Sequence, residues 1–106
     1  MKSSESDSNL RRPILTVEHL GKLSEGMLLR LCEILILPYF PQYKSVDALC
    51  TVTGLKRHQV DNARADRGSI GGLAWTRIEM KLNIPIYHFW LTQQLKGLEQ
   101  TYESHR

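Results

Sequence analysis

Apolar side chains recur every three or four residues over much of this 106-residue chain, the spacing that places them on one face of an α-helix. The strongest such pattern is a wide apolar stripe formed by Met27, Leu28, Leu31, Cys32, Ile34 and Leu35. Ser24 has a hydroxyl suited to cap the helix that carries this stripe. Pro38 would end it, because proline lacks an amide hydrogen and clashes with the preceding turn. A short helix over residues 16–23, capped by Thr16, would come before it.

Two short helical segments meet at Gly54, within residues 46–65. Ser45 is the candidate cap of the first segment. Gly54 stands where the chain needs a left-handed turn, a conformation that glycine adopts without strain. The second helix would cover residues 57–65. The residues predicted to point inward are Leu49, Leu55, Val60 and Ala63, and those left outside are Lys56, Arg57, His58, Asp61, Asn62 and Arg64.

Two more helices are predicted after a glycine-rich loop, residues 66–72. Over residues 74–84 the spacing of Trp75, Ile78 and Leu82 fits a helix, whereas the alternation of apolar and polar residues fits a strand. We predict the helix; the alternative is the wing of a winged domain. Pro85 can start a last helix, over about residues 85–104, because the missing amide costs nothing there. The predicted fold class is all-α, a small bundle of about five helices.

Length and composition favour a single domain, residues 14–106, preceded by a polar arm, residues 1–13, in which we expect disorder. No apolar run approaches the roughly 18 residues of a membrane span. The polar N-terminus also lacks the apolar part of an export signal. We therefore expect a cytoplasmic protein without a membrane partner, in which Cys32 and Cys50 are reduced thiols.

Catalytic chemistry is not indicated. The four histidines are scattered, and no cysteine and histidine spacing resembles a zinc site. No nucleophile stands beside a base, and no two carboxylates are spaced as an acid and base pair. We expect no enzyme, no cofactor and no metal.

A small residue in the first of the two short helices, Cys50, precedes the turn at Gly54, and Leu82-Asn83-Ile84-Pro85 follows downstream. Together these residues resemble the helix-turn-helix of lambda-repressor-like regulators from bacteria and phages, over residues 45–86. In that family a leucine, a small residue, a valine and a proline or serine form the downstream junction. Thr53 departs from the pattern, which has a larger apolar residue there. The resemblance implies a transcriptional repressor whose helix, residues 57–65, enters the major groove of double-stranded DNA.

The positive charge of the chain is concentrated near that helix, since residues 56–81 hold six bases and three acids. This predicts a phosphate-binding surface, although a merely solvated charged face has the same composition. Candidate base contacts are Arg57, His58, Asp61 and Asn62. Candidate phosphate contacts are Ser45, Lys56, Arg64, Arg67 and Ser69. Asp61 would read a cytosine or pair with Arg57 or Arg64. Arg11 and Arg12 could follow phosphates or a minor groove, or form an ordinary basic tail.

Two further sets of residues indicate contacts with proteins. Leu91, Leu95, Leu98 and Tyr102 form a stripe that is longer than a small domain needs, so we expect a homodimer through the last helix. The alternatives are packing within the monomer and a dimer formed by residues 27–37. Tyr39, Phe40 and Tyr43 lie in a proline-flanked connection that either covers the edge of the core or binds a protein partner. A protein-binding module is accordingly the alternative function.

Overall fold

Six α-helices make up most of residues 17–104, the part of the chain described by a computed structural model, without the side chains of residues 17, 45 and 99–104. They are α1 (Val17–Gly21), α2 (Glu25–Ile36), α3 (Ser45–Thr53), α4 (Arg57–Arg64), α5 (Gly72–Leu82) and α6 (Ile86–Ser104), with a 3-10 turn at Leu37–Tyr39. No strand occurs among these residues, so the all-α prediction is confirmed, with six helices where about five were expected. The predicted arm, Arg11, Arg12 and the Thr16 cap lie outside the described residues.

Helix α2 is central, because it packs against α3, α4 and α5. The apolar side chains that it buries are Leu28, Leu29, Cys32 and Ile36. The predicted stripe is therefore wrong in part: Met27 is exposed, and Ile34 is 66% exposed. Apolar residues surround most of this helix, so their spacing alone fits more than one face. Contact with three neighbouring helices decides which face is buried.

The N-terminus of α2 is capped by two side chains. Ser24 Oγ accepts a hydrogen bond from the Met27 amide at 3.1 Å, which confirms the predicted cap. Asp66, from the loop after α4, accepts a 2.8 Å hydrogen bond from the Gly26 amide and a 2.7 Å bond from Ser24 Oγ. Its backbone has a φ of 60°, a left-handed conformation that aspartate tolerates better than most residues. The loop is thereby fastened to the start of α2.

These two hydrogen bonds make the stability of the fold depend on pH. The Ser24 hydroxyl, followed by the Gly26 amide, lowers the pKa of Asp66 below its usual 3.8. A lowered pKa in the folded state means that the carboxylate stabilises the fold above its unfolded pKa, and that this contribution is lost as the pH falls through the lower folded value. We expect Asp66→Asn to be less stable at neutral pH and to lose less stability on acidification below about pH 4.

Chemical unfolding at a series of pH values measures this effect. Ser24→Ala removes the hydrogen bond that lowers the pKa of Asp66 most, so the folded pKa should move closer to the unfolded value. The pH range over which the Asp66 carboxylate changes the free energy of unfolding should then become narrower. If the free energy of unfolding of Asp66→Asn fell with decreasing pH as steeply as that of the parent, other carboxylates would be responsible for the sensitivity to acid.

Helix α5 contributes three large apolar side chains to the core. Trp75, Ile78 and Leu82 are buried, as the helical prediction requires, and the strand alternative for residues 74–84 is wrong. Asn83 ends α5 with a left-handed φ of 58°. The buried Glu79 carboxylate then accepts the amides of Tyr87 and His88, at 2.9 and 3.0 Å, and so caps α6.

Helix α6 begins one residue after Pro85 and packs against α1. Trp90 Nε1 donates a 2.9 Å hydrogen bond to the Leu23 carbonyl, and the Gln94 amide donates to the Gly21 carbonyl at 3.0 Å. Helix α1 ends at Gly21, two residues before its predicted end. Although α6 has 19 residues, neither it nor any other helix among the described residues is both long and apolar enough to cross a membrane.

The two cysteines are free thiols in different surroundings. Burial, with a smaller effect of the Glu79 carboxylate, raises the pKa of Cys32 to about 12. Cys50 is only half-buried, and burial followed by Asp47 raises its pKa as well. Since the thiolate is the reactive form, we expect Cys50 to react slowly with an aromatic disulfide reagent and Cys32 to react only after unfolding.

Counting reacted thiols in native Cys50→Ser and Cys32→Ser variants checks this order. Native Cys50→Ser should release almost no chromophore until denaturant is added. Equal rates in the two native variants would contradict the described burial of Cys32.

Candidate nucleic-acid interface

Helices α3 and α4 are joined by a sharp turn at Gly54, whose φ of 75° and ψ of 12° are left-handed, as predicted. The Gly54 amide donates to the Cys50 carbonyl at 2.8 Å and closes the end of α3. The start of α3 differs from the prediction: Lys44 occupies the cap position, and Ser45 is the first helical residue. The extended conformation needed at the cap position therefore occurs at Lys44, one residue before the predicted cap. The Lys44 side chain makes no capping hydrogen bond.

Thr53, the departure from the family pattern, is buried beside this turn. Its hydroxyl donates to the Leu49 carbonyl at 2.7 Å and accepts from the Leu55 amide at 3.3 Å. A polar side chain is tolerated inside the protein when its hydrogen bonds are satisfied. The threonine thus ends α3 and orients the first residue after the glycine.

Helix α4 ends at Arg64, within one residue of its predicted end, and it presents polar residues on one side. Val60 and Ala63 are buried and hold it against the core. The Lys56 amide donates to Gln59 Oε1 at 3.0 Å, so Gln59 caps the helix from within its first turn. The exposed side is formed by Arg57, His58 and Asn62, with the partly exposed Asp61 among them. At 100° per residue these four candidate base contacts share one side of the helix.

Arg57 lies between two acids. Its guanidinium is 3.7 Å from Asp61 and 4.0 Å from Asp47, a residue of α3. The arginine side chain is 67% exposed, and ion pairs this open contribute about 0–1 kcal/mol each. The acids can therefore orient the guanidinium without holding it tightly, which leaves it available to exchange these partners for another.

Arg64 has a structural role, because it forms ion pairs within the fold. Its Nε lies 2.8 Å from Oε1 of the buried Glu33 of α2, and its NH1 lies 3.4 Å from Asp61. Neither Arg64 Nε nor Glu33 Oε1 makes a hydrogen bond to any other described group. Moving Arg64 to a phosphate would leave Glu33 buried without a counter-charge, which is strongly unfavourable. The pair fixes α4 on α2, and the geometry does not favour Arg64 as a phosphate contact.

The loop after α4 contains the last two candidates. Arg67 is exposed, and its guanidinium donates to Asn62 Oδ1 at 3.4 Å, which brings it next to the polar side of α4. Ser69 instead donates its hydroxyl to the Glu25 carboxylate, which also accepts Trp75 Nε1 at 3.1 Å. A carboxylate at that position would repel a phosphate. Ser69 is therefore not grouped with Lys56, Arg57 and Arg67 in the candidate interface.

Sequence reasoning did not anticipate the role of Arg77. Its NH1 donates to the Thr53 carbonyl at 2.8 Å, so a base counted toward the positive surface supports the turn from α5. The spacing of residues 53 and 77 gave no signal for this contact.

No family model, curated protein or solved structure matches the chain. The candidate interface therefore consists of Lys56, Arg57, His58, Asp61, Asn62 and Arg67.

Proposed function

We propose that this protein is a sequence-specific DNA-binding regulator of the helix-turn-helix type, with α4 in the major groove of double-stranded DNA. The supporting observation is a short helix, held by Val60 and Ala63 after a left-handed glycine turn, with its other side formed by side chains able to read bases. Arg57 would donate two hydrogen bonds to a guanine edge, and Asn62 would make the paired contact to adenine.

Around these two residues, His58 and Asp61 would contact neighbouring base edges, and Lys56 and Arg67 would neutralise phosphates. Ser45 also remains a proposed phosphate contact, since the N-terminus of α3 has free amides that attract anions. Mixed charge on α4 favours selective binding, because Asp61 penalises any placement that brings a phosphate close to it. Repression, and a bacterial or phage setting, are implied by the family resemblance alone.

The proposed DNA-binding form is a homodimer on a two-fold site. Leu91, Leu95 and Leu98 are spaced for one face of α6, and Leu98 is 66% exposed. Among residues 86–98 of α6, Lys96 is the only lysine, arginine, aspartate or glutamate. An apolar face with so little charge is well suited to pair with its own copy. Tyr102 would extend this face, although its side chain lies outside the described part.

A fluorescence-anisotropy titration tests the proposal, using DNA from upstream of the protein's own gene at two salt concentrations with scrambled competitor. Tight binding that survives competitor supports sequence-specific regulation. Weak binding that disappears at the higher salt concentration would show only non-specific affinity for phosphates. An absence of binding at either salt concentration contradicts it.

A second candidate function, a protein-binding module, is favoured by the connection before α3. Tyr39 and Tyr43 are exposed, while Phe40 packs partly on the core and lies 5.8 Å from the Tyr43 ring. Retention on a polyanionic column separates the two functions. A DNA binder should elute late and respond steeply to salt, whereas an aromatic surface should be much less sensitive.

A further inference from the structure

A groove lies between α3 and α5, and none of its lining residues belongs to α4. Its volume is about 420 Å³, and it is lined by Phe40, Thr51, Val52, Arg77, Met80 and Lys81. Met80 is 76% exposed, the largest exposed fraction of any large apolar side chain among the described residues. An unbranched, flexible thioether is well suited to contact with varied apolar surfaces. The groove thus has an apolar floor open to a partner.

Two cations lie beside this floor, and neither has a carboxylate of the described residues within 4.0 Å. Arg77 is anchored by its hydrogen bond to the Thr53 carbonyl. The Lys81 ammonium lies over two aromatic rings, 4.9 Å from the centre of Phe40 and 5.6 Å from that of Tyr39. Both side chains are held in place while their charge stays unneutralised.

The spacing of the cations indicates the shape of a partner. Residues four apart are neighbours on one side of a helix, so Arg77 and Lys81 stand about one turn apart along α5. Two carboxylates four residues apart on a second helix have the same separation. Apolar side chains on the same face of that helix would then reach Met80 and Val52.

We propose that this groove binds a helical, acidic and apolar segment of a partner protein. Its carboxylates pair with Arg77 and Lys81, and its apolar side chains cover Val52 and Met80. A DNA backbone fits the cations less well, because phosphates make no use of an apolar floor. The inference goes beyond the proposed function and does not depend on it, since it uses no residue of α4.

The probe is a short fluorescein-labelled helical peptide, with glutamates four residues apart and leucines on the same face. Anisotropy should report its binding to the full chain, and the amide signals of α3 and α5 should shift in an NMR titration. Lys81→Glu and Met80→Glu should each weaken binding about tenfold or more. Lys96→Glu, which changes an exposed lysine on α6, should leave binding unchanged. Chemical unfolding of all three variants checks that each is folded under the conditions of the titration.

Four results of the peptide titrations would overturn the proposal. They are no binding of the peptide, equal binding by the parent and both groove variants, equal binding of a peptide with lysine in place of glutamate, and displacement of the peptide by duplex DNA. The last would identify a phosphate-binding surface. A self-association of the chain that Met80→Glu abolishes would also contradict it, because a second copy would then occupy the groove.

Discussion

Replacing Gly26 by alanine should destabilise the fold by about 3 kcal/mol, at the upper end of the usual cost of overpacking. A Cβ atom at this position would lie 2.7 Å from the carbonyl oxygens of both Ala63 and Arg64, and 2.8 Å from Asp66 Oδ1. Two of these three atoms belong to the backbone at the end of α4, so they cannot move away as a flexible side chain can. The methyl group would have to push α2 and α4 apart.

Urea unfolding of Gly26→Ala measures this cost, with Gly68→Ala as the matched control. No atom lies within 4 Å of a Cβ placed on Gly68, and that residue has no left-handed φ. Gly68→Ala should therefore be neutral or slightly stabilising, since alanine lowers the entropy of the unfolded chain. Equal stability of the two variants would contradict the close approach of α2 to α4.

Replacing Arg57 by alanine should cost about 1–3 kcal/mol in binding to the preferred DNA site and relax the preference at one base position. The arginine would supply a forked pair of hydrogen bonds that no other residue of α4 can replace. Its removal also leaves Asp47 and Asp61 without this counter-charge at the proposed DNA interface. We therefore expect the loss to be larger for Arg57→Ala than for alanine variants at the other candidate base contacts of α4, His58, Asp61 and Asn62.

Competition titrations with the preferred site and its single-base variants measure this effect. Lys56→Ala should weaken all sequences similarly and reduce the slope of affinity against salt by about one, as expected for a phosphate contact. Lys96→Ala removes the same charge from α6 and should change neither quantity. If Arg57→Ala and Lys56→Ala both bound every sequence like the parent, the assignment of α4 as the recognition helix would be wrong.

Local features of the sequence were sufficient to predict much of the fold. Ser24 and Gly54 identify a helix start and a helix end because the chemistry of each acts on its own neighbours. Trp75, Ile78 and Leu82 are buried together because one helical period joins them. Where two faces of a helix are both apolar, as in α2, the period no longer selects the buried one, and Ile34 was misplaced for that reason.

The candidate site was harder to predict, since charged residues look alike until their distant partners are known. Arg64 and Arg57 are both arginines of α4, yet Glu33 fixes one of them against α2. Ser69 is likewise engaged by Glu25, 44 residues earlier in the chain. Such pairings are set by the packing of helices and leave no local pattern. The sequence therefore overestimated the number of cations available to phosphates.

Selection of binding sites from a random-sequence DNA library tests the central claim most directly, with the full chain and Arg57→Ala compared side by side. The proposed function predicts that the parent enriches a two-fold symmetric motif, with half-sites about 10 base pairs apart or a multiple of that spacing. Arg57→Ala should then lose the preference at one position in each half-site. Failure of the parent to enrich any motif would contradict sequence-specific DNA binding through α4.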